Sequence, residues 1–143
     1  MNDRARLERI IRAKEMIHDA RRGELARARH AVNDAESVLD RALAVHESVV
    51  QALSAIGDTT GEELALRAHA VARSTQSARR AHAALDERRT EEETRATATI
   101  ESGRELKALE TVRGRALATD RTKANAVERS LEDDRAGRRG GAR

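Results

Sequence analysis

The sequence contains no phenylalanine, tryptophan, tyrosine, cysteine or proline. Without aromatic rings the chain lacks the bulky groups that fill a round globular core. Without cysteine it has no disulfide or thiolate chemistry, which fits a reducing cytosol. No charge of one sign dominates either: 28 Lys and Arg face 25 Asp and Glu, a net of +3. Low Leu, Ile and Val content points to disorder only when it accompanies a large net charge, so disorder is not the reading here. No apolar run approaches the ~18 residues a bilayer span needs, so no direct membrane insertion is expected. The arginine-rich N-terminus resembles a transit peptide, but Asp3, Glu8, Glu15 and Asp19 interleave with its arginines. Transit peptides are poor in acids, so this segment reads as part of the mature chain.

What is present points one way. Ala, Glu, Lys, Leu and Arg make up more than half of the 143 residues, the composition of a coiled coil or long helix. All five are strong helix formers. Leu25, Ala28, Val32, Ala35, Leu39, Ala42, His46, Val49, Leu53 and Ile56 step by three and four residues without a break. An average repeat of 3.5 is the seam of a left-handed coiled coil, and so narrow a stripe requires a second helix to cover it. Ala28, Ala35 and Ala42 recur at one seam position, where small residues let two helix axes approach. Val38, Leu43, Val45 and Val50 flank the stripe and widen it toward its distal end, which suits a tighter core or a third helix. Upstream, Leu7, Ile10, Lys14 and Ile17 give a register one residue out of phase, a stutter near Gly23.

Gly57-Asp58-Thr59-Thr60-Gly61 is the one convincing break. Gly57 suits a left-handed residue after the first helix, and Thr60 with Glu63 has capping-box spacing. Glu62 and Glu63 meet the positive end of the next helix dipole. A loop this short forces an antiparallel hairpin. The second helix is expected to present Leu64, Ala68, Val71, Thr75, Ala78, His82 and Leu85, then a polar run over 88–95, then Ile100, Leu106, Leu109, Val112 and Leu117. The expected fold is all-α: helix 3–56, tip loop 57–61 and a longer helix 62–135, together one hairpin over 1–136. A disordered basic tail follows at 137–143.

Charge tests the hairpin independently. Residues 31–63 hold Arg41 against Asp34, Glu36, Asp40, Glu47, Asp58, Glu62 and Glu63, while 64–90 hold six arginines against Asp86 and Glu87. Folding about residue 59 lays the acidic stretch on the basic one. It also brings Glu91, Glu92 and Glu93 near Arg22, Arg27 and Arg29, and Leu7, Ile10 and Ile11 near Leu106 and Leu109. Each exposed pair is worth about 0–1 kcal/mol, so the pairs select partner and orientation more than they stabilise. The first arm runs out opposite roughly residue 117, so Val112, Leu117, Ala124, Val127 and Leu131 lie on an overhang without an intrachain partner.

No catalytic constellation is found: no phosphate loop, nucleophile elbow or HExxH pair. No cofactor or metal is expected, because His18, His30, His46, His69 and His82 have no ligand spacing. His46 sits on the seam, with His69 within a turn of it across the hairpin. A shared metal or pH switch and a polar residue that fixes register both fit that placement, and the second is favoured. The arginines lack interleaved aromatics and mostly face glutamates, which argues against a nucleic-acid partner. Arg4, Arg6 and Arg9 and the tail arginines have no obvious acidic counterpart and converge on one end.

The order of these segments resembles the FliJ/YscO family, the coiled-coil stalk proteins of flagellar and virulence type III secretion. The resemblance rests on a basic first helix opening Arg6-Leu7-Glu8-Arg9-Ile10, a hairpin tip near residue 59 and a longer second helix. Within that helix it also rests on the stretch Arg104-Glu105-Leu106-Lys107-Ala108-Leu109-Glu110 and an ending Leu131-Glu132-Asp133-Asp134-Arg135-Ala136. Family members usually carry a few aromatics on the second helix, and this chain has none. The resemblance implies a non-enzymatic, cytoplasmic bacterial protein peripheral to the inner-membrane export apparatus. Its implied partners are the secretion ATPase hexamer, an export-gate membrane protein and, for some members, export chaperones. It implies a monomer or weak oligomer whose partner-binding residues are Arg6, Leu7, Arg9, Ile10, Leu106, Leu109, Val112, Leu117, Val127 and Leu131. The alternatives are a generic coiled-coil adaptor or chaperone that binds a partner helix through the overhang and, less favoured, a basic nucleic-acid-associated protein.

Overall fold

Asn2 starts the first helix: its Oδ1 accepts the Arg4 backbone N–H at 3.2 Å, the N-cap bond that satisfies one of the orphan donors at a helix start. A computed structural model describes residues 2–55, 57, 58 and 60–141. Among these residues every regular element is helical. The first, α1, is Asp3–Ser54 (52 residues) and the second, α2, is Gly61–Gly140 (80 residues). Thr60 caps α2, accepting the Glu63 N–H on its Oγ1 at 3.3 Å. Glu62 and Glu63 occupy the first turn of α2, where the dipole favours them. Exposed threonines along α2 donate to carbonyls four residues back, as Thr90, Thr111, Thr119 and Thr122 do.

The chain forms two compact units, Asp19–Ile100 and Met1–His18 with Glu101–Arg143. Asp19–Ile100 is an antiparallel helical hairpin. Its cross-helix pairs Glu24–Arg95, Arg29–Glu92, Glu36–Arg89 and His46–Ser74 are all centred near residue 60. Leu25, Ala28, Val32, Ala81 and Leu85 are buried between its helices. In the other unit the first turns of α1 lie antiparallel to α2 through Lys14–Glu105, His18–Ser102 and Glu8–Arg113. Ile11, only 1% exposed, is the most deeply buried large side chain there.

Burial along α1 corrects the expected stutter. Leu7, Lys14 and His18 are half-buried and Ile11 is buried, while Ile10 and Ile17 stand 40% and 45% exposed. The inner face of the first turns steps 7, 11, 14, 18, and that of Asp19–Ile100 steps 25, 28, 32, 35, each a heptad pattern of threes and fours. The apolar pattern misleads because Lys14 and His18 occupy seam positions and are satisfied there by Glu105 and Ser102. On α2 the inner face is Val71, Ser74, Ala78, Ala81 and Leu85. Leu64, Ala68 and His82, expected on the seam, are exposed, and Ser74 and Ala81 replace Thr75 and His82 as the most buried residues of their turns.

The boundaries also shift. The first helix ends at Ser54, with Ala55 N–H still donating to the Gln51 carbonyl at 3.1 Å. Gly57 therefore lies beyond the C′ position, and no described glycine has positive φ, so it is not the left-handed cap expected from sequence. Ile56, the last expected seam residue, and Thr59 of the tip fall outside the described residues, as do Ala142 and Arg143 of the tail. The second helix continues to Gly140, so residues 137–140 are helical where a disordered tail was expected. Arg138 and Arg139 in that last turn complement the negative end of the helix dipole.

Candidate interaction surfaces

Two polar layers cross the helix interfaces, one in each unit. In Asp19–Ile100, His46 Nδ1 lies 2.9 Å from Ser74 Oγ, and Ser74 also donates to the Val71 carbonyl at 3.0 Å. In the other unit, His18 Nδ1 lies 2.7 Å from Ser102 Oγ. A buried serine whose hydroxyl has a ring nitrogen to pair with is satisfied only in one register, which is the use a polar seam residue has. His46 thus pairs with Ser74, and His69 is exposed on α2. A Cβ built on Gly103 would stand 3.2 Å from His18 Cε1, so the glycine leaves room for the His18 ring beside the helix backbone. Neither serine was singled out from sequence. The signal was available, since each histidine has a serine at the mirror position across residue 60.

Cross-helix charge matching follows the expected hinge in part. Glu92 reaches Arg29 at 3.7 Å, and Glu36 reaches Arg89 at 3.4 Å. Arg95 bonds Glu24 at 3.0 Å, a pair not foreseen because Glu24 sits in a basic stretch. Arg27 and Glu91 line one shallow groove, whereas Arg22 takes part in no ion pair among the described residues. Lys14 Nζ donates to Glu105 Oε2 at 2.7 Å, and this ammonium lowers the Glu105 carboxyl pKa from its ordinary value of 4.5.

All ten partner-binding residues expected from sequence fall in the unit Met1–His18 with Glu101–Arg143. The structure divides them. Leu7, Leu106 and Leu109 are half-buried and belong to the packing of α1 on α2. Leu117 is exposed but lines a pocket of about 260 Å³ with Leu7, Arg113 and the first turn of α1, so it is not free of the first helix as expected. Arg6, Arg9, Ile10 and Val112 are exposed. Val127 and Leu131, 60% and 53% exposed, lie where every described residue of α2 is exposed. Every described residue of α2 beyond Arg113 is exposed.

A second surface was not assigned from sequence beyond the remark that the stripe widens. On one face of Asp19–Ile100, Leu39, Leu43 and His46 of α1 and Thr75, Ala78, His82 and Ala83 of α2 line an open groove of about 620 Å³. Arg79 and Asp86 form its rim on the α2 side, and Asp86 pairs with His82 at 3.6 Å. No helix among the described residues is long and apolar enough to cross a membrane. No protein-family model, curated protein or solved structure matches the chain.

Proposed function

We propose that this protein is a non-enzymatic stalk of the FliJ/YscO kind, coupling a type III secretion or flagellar export ATPase to its export gate at the bacterial inner membrane. The carrying observation is the inequality of the arms: α2 has 80 residues against 52 in α1, and its excess length exposes Val127 and Leu131. A single asymmetric helical element inside a symmetric ring contacts some subunits differently from others. A ligand shifts a conformational equilibrium only through such differential contact, so asymmetry is what lets a stalk favour one subunit state. The exposed apolar residues of the overhang supply buried area in the ring, and Arg6 with its neighbouring basic residues supplies attraction to an acidic lining.

The test is copurification with the export ATPase and measurement of ATP hydrolysis with and without the full chain. The proposal expects a complex and a higher hydrolysis rate. Absence of both overturns it, and capture of a single amphipathic helix by the overhang instead would mark a coiled-coil adaptor.

A further inference from the structure

The groove face of Asp19–Ile100 has an acidic edge on α1 and a mixed edge on α2, where Arg79 stands without an ion-pair partner among the described residues. On α1, Asp40 and Glu47 stand three before and four after Leu43, which puts them on the same side of the helix as the groove. On α2 the rim carries Arg79 and also Asp86, which pairs with His82 at 3.6 Å. Among the described residues none of Asp40, Glu47 and Arg79 takes part in an ion pair. Between these edges lie apolar side chains that the hairpin leaves uncovered: Leu43 is 48% exposed and Val50 38%.

We infer that this face is a self-association surface, on which a second copy of the chain docks with its hairpin tip pointing the same way. Two face-to-face arrangements have two-fold symmetry. With the axis along the helices, α1 of each copy lies over α2 of the other at the same height. The acidic edge of each then meets the edge of its partner that carries Arg79, and residue 40 comes level with residue 79. With the axis across the helices, α1 lies over α1 and the two acidic edges coincide, which like-charge repulsion disfavours. A single symmetry operation thus satisfies both edges and closes the assembly. The Leu43 side chains enter each other's grooves, and the result is a four-helix bundle over this unit. The surface is separate from the contacts proposed for the ATPase, all of which fall in the other unit, so each reading fails or stands without the other.

Sedimentation equilibrium of the full chain, from micromolar to millimolar concentration, tests the proposal. A concentration-dependent dimer is expected. Asp40→Arg and Arg79→Asp should each weaken it at least about fivefold, and the two changes together in one chain should restore most of the affinity. Both positions are exposed, so circular dichroism should show unchanged helix content in each variant. Because the natural chain has no cysteine, orientation is read directly: Asp40→Cys chains mixed with Arg79→Cys chains should form a disulfide heterodimer under mild oxidation. A monomer throughout overturns the inference and assigns the face to a helix of another protein. A dimer indifferent to both charge reversals, or one that cross-links Asp40→Cys to itself in preference, also overturns it.

Discussion

At the residue scale, the interior of this protein is decided by small and polar side chains. Alanine, serine and histidine stand where larger proteins place Leu and Phe, so individual hydrogen bonds count for more than usual. The His46–Ser74 pair illustrates it. Ser74→Ala leaves the His46 ring without its partner and should destabilise the chain by about 1 kcal/mol in urea unfolding. His46→Leu combined with Ser74→Ala removes both polar groups and should be neutral or stabilising, at the expense of register. A double-mutant cycle with no coupling between the two positions would contradict this account. Lys14–Glu105 makes a pH prediction. Its carboxyl pKa is depressed by the Lys14 ammonium, so the folded state binds a proton less readily than the unfolded chain. The contribution is present above the ordinary carboxylate range and is lost as pH falls through the lowered folded value. Thermal melts of the natural chain and of Glu105→Gln should therefore differ near neutrality and converge in acid. A gap that widens on acidification would have the wrong sign.

At the scale of the helix, what the sequence discloses depends on whether a seam position is apolar. Two helices, the break near residue 60, the N-cap at Thr60 and the longer second arm are all legible, because each has its own signal in periodicity, turn chemistry or charge. Leu25 through Leu53 also read in the correct register. The first turns do not, because Ile10 and Ile17 offer a more apolar pattern than the true seam of Leu7, Ile11, Lys14 and His18. Periodicity scores hydrophobicity and cannot see that Lys14 finds Glu105 or that His18 finds Ser102. The same blindness put Thr75 and His82 of α2 inside in place of Ser74 and Ala81. Among the residues expected to bind a partner, periodicity does not disclose that Leu7, Leu106 and Leu109 are spent on helix packing. Alanine substitution separates the two registers. Ile11→Ala empties a fully buried site and should cost about 2–4 kcal/mol. Ile10→Ala and Ile17→Ala remove half-exposed groups and should each cost less than about 1 kcal/mol. Equal losses at 10, 11 and 17 would restore the stutter.

At the scale of the whole molecule, stability and function draw on different segments of α2. The buried side chains of α2 lie between Ser74 and Ser102, whereas Val127 and Leu131 are more than half exposed. An exposed apolar side chain contributes little to folding, and replacing it usually changes stability by no more than about 0.5 kcal/mol. On the proposed stalk reading, Val127 and Leu131, four residues apart on one side of a charged helix, are the side chains the ring covers. Val127→Glu with Leu131→Glu puts that to the test in the full chain. Melting temperature and helix content should be unchanged, since both side chains are more than half exposed. Affinity for the ATPase should fall tenfold or more, because two charges would have to be desolvated in the interface, at roughly 1–3 kcal/mol each. Arg6→Ala should weaken the same complex less, and its effect should shrink as salt is raised, as expected of a solvent-exposed charge. If the double glutamate variant bound and stimulated the ATPase as the natural chain does, the overhang would be excluded as the contact. The stalk reading would then have to rest on the half-buried Leu7, Leu106 and Leu109, which are already committed to holding α1 against α2.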